Sequence, residues 1–126
     1  MAEDRETAHA EYASYYTDPE PELIYYGDFK ANAILNFGDA AVCRHFRVKA
    51  DEFFQSFRLA TSPTALQLLG KAIAVQTVIT AIRFPSNARH RKGERGFNFA
   101  LFRDAVYFPN SLAILGKAGA ILEEWP

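Results

Sequence analysis

Apolar positions along this chain fall into short blocks separated by Gly, Pro and acidic residues, and the spacing within each block predicts an element. In residues 4–16, DRETAHAEYASYY, Ala8, Tyr12, Tyr15 and Tyr16 recur at helical spacing. Asp4 is placed to cap this helix and Asp18-Pro19 to stop it. Glu11 lies at the edge of the stripe, where a carboxylate is either solvated at the rim or aimed into a cleft. An acidic link (17–22) leads to a strand-type run, LIYY (23–26). Helical spacing over 29–37 then ends at Gly38. Residues 40–50, AAVCRHFRVKA, alternate in polarity, with Val42, Arg44, Phe46 and Val48 on one side, which predicts a half-exposed strand.

The second half is more strongly patterned. Residues 51–59 form a short amphipathic piece. Ser62-Pro63 opens a helix over 64–74 that carries Leu66, Leu69 and Ile73 on one stripe. Residues 75–84, VQTVITAIRF, are β-branched and nearly uncharged, which predicts a central strand buried on both faces. A basic loop (85–96) joins it to an apolar strand at 97–102. A further strand covers 112–115, and Gly116 and Gly119 punctuate the tail. The expected fold is α+β: one mixed, mostly antiparallel sheet with two or three helices.

With 126 residues the chain is long enough for one core and one domain, 1–126. A hydrophobic share of 49% excludes disorder, and an aromatic share of 14% predicts an aromatic core. The net charge of -1 provides no global attraction to nucleic acid or to an anionic membrane. Charge is nonetheless segregated, with acidic residues crowded into 1–28 and Arg83, Arg89, Arg91, Lys92 and Arg95 into 83–95. The tip Arg89-His90-Arg91-Lys92 has the composition of a nucleic-acid patch but lacks a broader basic surface around it. Alone, such a tip reads as a solvated loop end.

Cys43 excludes an internal disulfide and agrees with a reducing compartment, and within AAVC it reads as a small buried hydrophobe. His9, His45 and His90 stand apart, so no metal site is expected. No run approaches the roughly 18 apolar residues of a membrane span and no basic-then-apolar leader opens the chain, so a cytoplasmic location is expected. Neither a glycine-rich phosphate loop nor a nucleophile elbow is present.

Two segments together resemble a known family. IRFPSNA followed by GFNFALF (82–88 and 96–102) resembles the C-terminal signature of the RES domain: a strand ending in (F/Y)PSAR, a glycine-containing loop, then GxNLALF. RETAHAEY (5–12) resembles that family's ETAxAE helix, which a YLA-type strand precedes. FRVKAD (46–51) sits where the family has a YRVRLD-like central strand. The resemblance implies a core similar to ADP-ribosyltransferases and a toxin of a toxin–antitoxin pair that cleaves NAD at the nicotinamide–ribose bond. NAD is then substrate, no resident cofactor is implied, and an antitoxin is the expected protein partner, with a homodimer as the other way to cover an open edge.

By the resemblance, Glu11 matches the family glutamate and Ser86 its serine. Asn98 supports them as a substrate-binding wall, and Arg89 and Arg91 stand in as a phosphate clamp. No segment matches the family's arginine and tyrosine, so the resemblance reads as a domain shortened at its N-terminus. The alternative is a non-catalytic RES-derived module that binds a nucleotide or an antitoxin.

Overall fold

A computed structural model describes residues 1–16, 23–55, 61–76 and 78–126. The described residues form an α+β fold with two three-stranded sheets. Helix α1 spans Arg5–Tyr15, with Asp4 as its cap: the Asp4 carboxylate accepts the Thr7 N–H at 2.7 Å. Its buried face is Thr7 and Ala10. The expected stripe is displaced, since Tyr15 and Tyr16 are more than half exposed.

Strands β1 (Tyr26–Lys30) and β2 (Ile34–Asn36) occupy the stretch whose spacing predicts a helix. Long-range pairing overrides that local period. β1 pairs antiparallel with β5 (Ser111–Leu115) and β2 parallel with β3 (Ala81–Pro85). Asn110 fixes the turn between them by accepting the Asn32 N–H at 2.7 Å.

The predicted strand at 40–50 is replaced by a short helix, α2 (Ala40–His45), and a 3₁₀ turn at Ala50–Phe54. The Asp39 carboxylate caps α2 through the Ala41 N–H, and Arg47 has a φ of 55°, which no strand accommodates. The counterpart expected at 46–51 for the family's central strand is therefore absent as a strand. Alternation in the sequence came from a helix that leaves one side half-buried.

Helix α3 spans Ala65–Ala74, as the spacing predicts, and begins with a reciprocal capping box between Thr64 and Gln67. The strand expected over 75–84 shrinks to β3, because Val75 and Val78 are exposed. β3 is central in a β2-β3-β4 sheet, where β4 spans Phe97–Leu101. The basic loop contains a one-turn helix, α4 (Asn87–His90). A sixth strand, β6 (Ile121–Trp125), pairs with β5 in the β1-β5-β6 sheet. With four helices and two sheets among the described residues, the expected two or three helices on one sheet are corrected.

The core gathers Phe37, Ile73 and Ile82, ringed by Phe46, Phe53, Leu69 and Phe84. Phe37 lies 5.7 Å from the Phe46 ring and 5.5 Å from the Phe53 ring, tilted in both cases. The aromatic core is thus built on β2, β3, α2 and α3. The second sheet has no fully buried residue on any strand.

Candidate functional site

Residues 1–3 lie antiparallel along β4. The Phe99 N–H donates to the Met1 carbonyl at 2.6 Å, the Glu3 N–H to Phe97 at 2.9 Å, and Ala2 bridges Asn98. A single side chain clamps this arrangement. Arg83 on β3 forks onto both oxygens of Glu3 at 2.8 Å, donates to Asn36 Oδ1 at 3.0 Å and lies 3.5 Å above the Phe97 ring. The chain then turns into α1, which packs against α4. These two contacts bring Glu11 to the end of β3.

There the Ser86 hydroxyl donates to Glu11 Oε1 at 2.7 Å, and the Asn98 amide Nδ2 donates to the same oxygen at 2.7 Å. Two residues, from the β3 end and β4, therefore converge on one carboxylate oxygen carried by α1. Ser86 is 1% exposed and is also the cap of α4, its oxygen accepting the Arg89 N–H at 3.2 Å. Its one donor proton is spent inside the protein, and so is one of its two acceptor sites. In this geometry Ser86 acts through Glu11, whereas Glu11 and Asn98 remain half-buried at the wall of a cleft.

That cleft has a volume of about 490 Å³, and its walls include Tyr15, Phe53, Phe84 and Asn87 beside Glu11 and Asn98. It is the size and composition of a small-ligand site, apolar and aromatic with a few convergent polar groups. Among the described residues no Arg or Lys lines it. Its positive group is the Met1 ammonium, which donates to the Phe99 carbonyl at 2.8 Å and whose basicity burial lowers, against the pull of the Glu11 charge.

Arg89 and Arg91 are not brought to this cleft. Once Ser86 caps α4, Arg89 folds back to pair with Glu94 at 3.0 Å and to donate from Nε to the Arg95 carbonyl at 3.3 Å. Arg91 is exposed at the end of α4. Phe53 and Phe84 were not among the candidates from sequence. Core-type aromatics carry no chemical signal until the fold sets them beside a carboxylate. Tyr15 had one: it is four residues from Glu11, on the same helical face.

Gly96 makes this geometry possible. A methyl group there would overlap the Thr7 hydroxyl and lie 2.7 Å from Arg89 Cγ, so the β4 start approaches α1 and α4 only with a bare Cα. Thr7 is fully buried at this contact. Cys43 lies elsewhere, donating to the Phe37 carbonyl at 3.3 Å. Burial, and secondarily the Asp39 charge, push its thiol above the ordinary value, the opposite of an activated nucleophile. Among the described residues no group of three or more His, Cys, Asp or Glu is placed to hold a metal ion, and no helix is long and apolar enough to cross a membrane.

Comparison with protein-family models, with curated proteins and with solved structures finds no match for this chain.

Proposed function

We propose that the chain is a RES-type domain with an ADP-ribosyltransferase-like core, which binds NAD and breaks its nicotinamide–ribose bond with Glu11 as the acting carboxylate. The observation that carries this reading is the convergence of Ser86 and Asn98 on Glu11 Oε1, each at 2.7 Å. The three residues come from three of the four segments that carry the resemblance, and Ser86 and Asn98 lie 75 and 87 positions from Glu11 in the chain. The extended residues 1–3 on β4 also stand where the resemblance expects a strand before its helix.

The chemistry follows from what the cleft offers. Nicotinamide departs with the electron pair of the C–N bond and leaves an oxocarbenium-like ribose, as in glycoside hydrolysis. A carboxylate at the wall opposes that positive charge, and one held by two donors does so without reorganising. Tyr15, Phe53 and Phe84 offer faces for the cationic nicotinamide ring before it leaves. Water then adds its oxygen to the ribose carbon and releases a proton. Ser86 and Asn98 are positioning residues in this scheme.

One observation favours a second reading, a RES-derived module that binds without turnover. A pyrophosphate calls for a guanidinium or ammonium clamp, and no Arg or Lys of the described residues lines the Glu11 cleft. Incubating the protein with NAD and following free nicotinamide decides between them. Turnover that falls at least about a hundredfold in Glu11→Gln supports catalysis. Turnover no greater than that of Glu11→Ala removes the enzymatic reading, and a raised unfolding midpoint with NAD then supports the binding module.

A protein partner belongs to either reading. Leu23, Tyr25 and Tyr26 are exposed at the start of the β1 region, as are Ile121 and Leu122 on β6. Such apolar surface suits an antitoxin or a second copy of the chain. A monomer in solution whose apolar surface binds neither would overturn that part of the proposal.

A further inference from the structure

A second cleft, of about 440 Å³, shares Pro85 with the first and opens between α2, the 3₁₀ turn and α4. Two features set it apart. The Phe54 and His90 rings stack at its wall with centroids 3.6 Å apart and planes 9° from parallel. Arg44 and Arg95 also line it, both exposed, and neither guanidinium has an ion-pair partner among the described residues. The one carboxylate in the lining among the described residues, Glu94, pairs with Arg89 at 3.0 Å. Among the described residues the rim is therefore net positive, whereas the first cleft holds a carboxylate and no Arg or Lys.

We propose that this second cleft binds a nucleoside 5′-phosphate, with the base against the Phe54–His90 stack and the phosphate between Arg44 and Arg95. A planar ring pair gains by extending its stack onto a third aromatic face, and such stacking tolerates any base. Two guanidinium groups with free donors match a phosphate through forked hydrogen bonds. The remaining lining is mostly apolar, with Phe37, Val48 and Phe97 for the sugar and base to exclude water. The volume falls in the range of small-ligand sites. The inference rests on this cleft alone and not on NAD cleavage at Glu11.

Adenosine 5′-phosphate, titrated into the whole chain by calorimetry at low salt, is the probe. Binding should weaken about tenfold in Arg44→Ala and in Arg95→Ala, each loss removing a charge-assisted contact. It should weaken by a similar factor in Phe54→Leu, which keeps the apolar volume but removes the stack. Adenosine without its phosphate should bind about tenfold or more weakly than the nucleotide. Both arginines are exposed, so their variants fold, and Glu11→Gln should bind the probe as the parent chain does. If NAD competes with the probe and Arg44→Ala raises KM for NAD without lowering kcat, the site holds the adenylate half of NAD. If NAD does not compete, it holds a free nucleotide. No binding at millimolar probe, binding unchanged in both arginine variants, or adenosine bound as well as its phosphate overturns the proposal.

Discussion

The Ser86 hydroxyl donates to Glu11 Oε1 at 2.7 Å while its oxygen caps α4 through the Arg89 N–H at 3.2 Å. One buried side chain thus ties the helix that carries the carboxylate to the helix that follows β3. Ser86→Ala removes both bonds at once. Loss of a cap costs about 1 kcal/mol, and leaving the Glu11 oxygen with a single donor costs about 1 kcal/mol more. Urea unfolding should show a loss of about 2 kcal/mol, and under the proposed NAD cleavage nicotinamide release should fall through kcat rather than KM. A stability loss below about 0.5 kcal/mol would contradict the double role.

Asp4 anchors the other end of α1. Its carboxyl is held below the ordinary value, chiefly by the Thr7 backbone N–H, which donates to it at 2.7 Å. A lowered folded value means that the stabilisation is present above the unfolded value of about 3.9 and disappears as pH falls through the folded one. Asp4→Ala should therefore lose about 1 kcal/mol at about pH 7 and less at acid pH, once pH has fallen through the folded value and the carboxyl has lost its charge but kept a capping oxygen. Asp4→Asn, which keeps a capping oxygen, should stay within a few tenths of the parent at both. Denaturant midpoints at the two pH values check this.

Glu11, Ser86 and Asn98 were singled out from the short strings TAHAE, FPS and GFNFALF, and these three side chains do meet. Helix α3 was legible, since Ser62-Pro63, Thr64 and Gln67 announce its start and its stripe is unbroken. Where the reading failed, long-range contact outweighed local period. Residues 29–37 carry helical spacing, yet β5 and β3 offer them strand partners that no local window can see. Residues 40–50 alternate like a strand, yet the Asp39 cap and the positive φ at Arg47 make them helix and turn. The burial of Ser86 was likewise invisible, because a Pro-Ser strand end reads the same whether the hydroxyl faces a ligand or a carboxylate. Arg89 failed as a clamp for a related reason: Glu94, five residues on, claims it.

Two glycines offer an opposed pair of outcomes. Gly96→Ala forces a methyl group into the Thr7 hydroxyl and to 2.7 Å from Arg89 Cγ, where α1, α4 and β4 meet. Overpacking at such a junction costs about 1–3 kcal/mol. Gly70 sits inside α3, where an added methyl group would have nothing within 4 Å, so Gly70→Ala should stabilise by about 0.5–1 kcal/mol through helix propensity. Thermal unfolding of the two variants should move in opposite directions. Equal shifts of either sign would show that the α1–β4 approach is looser than the structure has it.

Arg83 is the clamp of the N-terminal segment, and its loss should be felt at a distance. Arg83→Ala frees both Glu3 oxygens, leaves Asn36 Oδ1 with the Gly38 N–H alone and uncovers the Phe97 ring. The pair with Glu3 is partly exposed, at 21% and 36%, so the electrostatic share is small and the stability loss is about 1–2 kcal/mol, mostly packing and the Asn36 bond. Amide exchange should rise most at Glu3 and Phe99, whose N–H groups form the ladder between residues 1–3 and β4. Arg83→Lys should restore little, because an ammonium cannot fork onto Glu3 while stacking on Phe97.

Cys43 supplies a pH signature away from the candidate site. Burial first, and the Asp39 charge second, hold its thiol above the ordinary value. The folded state thus keeps its proton longer than the unfolded chain. The corresponding stability is present in full below the unfolded value of roughly 8.5 and is lost as pH rises towards the folded one. Cys43→Ala should flatten that alkaline decline relative to the parent. A maleimide should modify Cys43 more slowly at about pH 8 than it modifies free cysteine, since only the thiolate reacts. Asp39→Asn keeps an α2 capping oxygen while removing the charge, so it should raise the labelling rate with little change in stability. A rate unchanged by Asp39→Asn would assign the whole shift to burial.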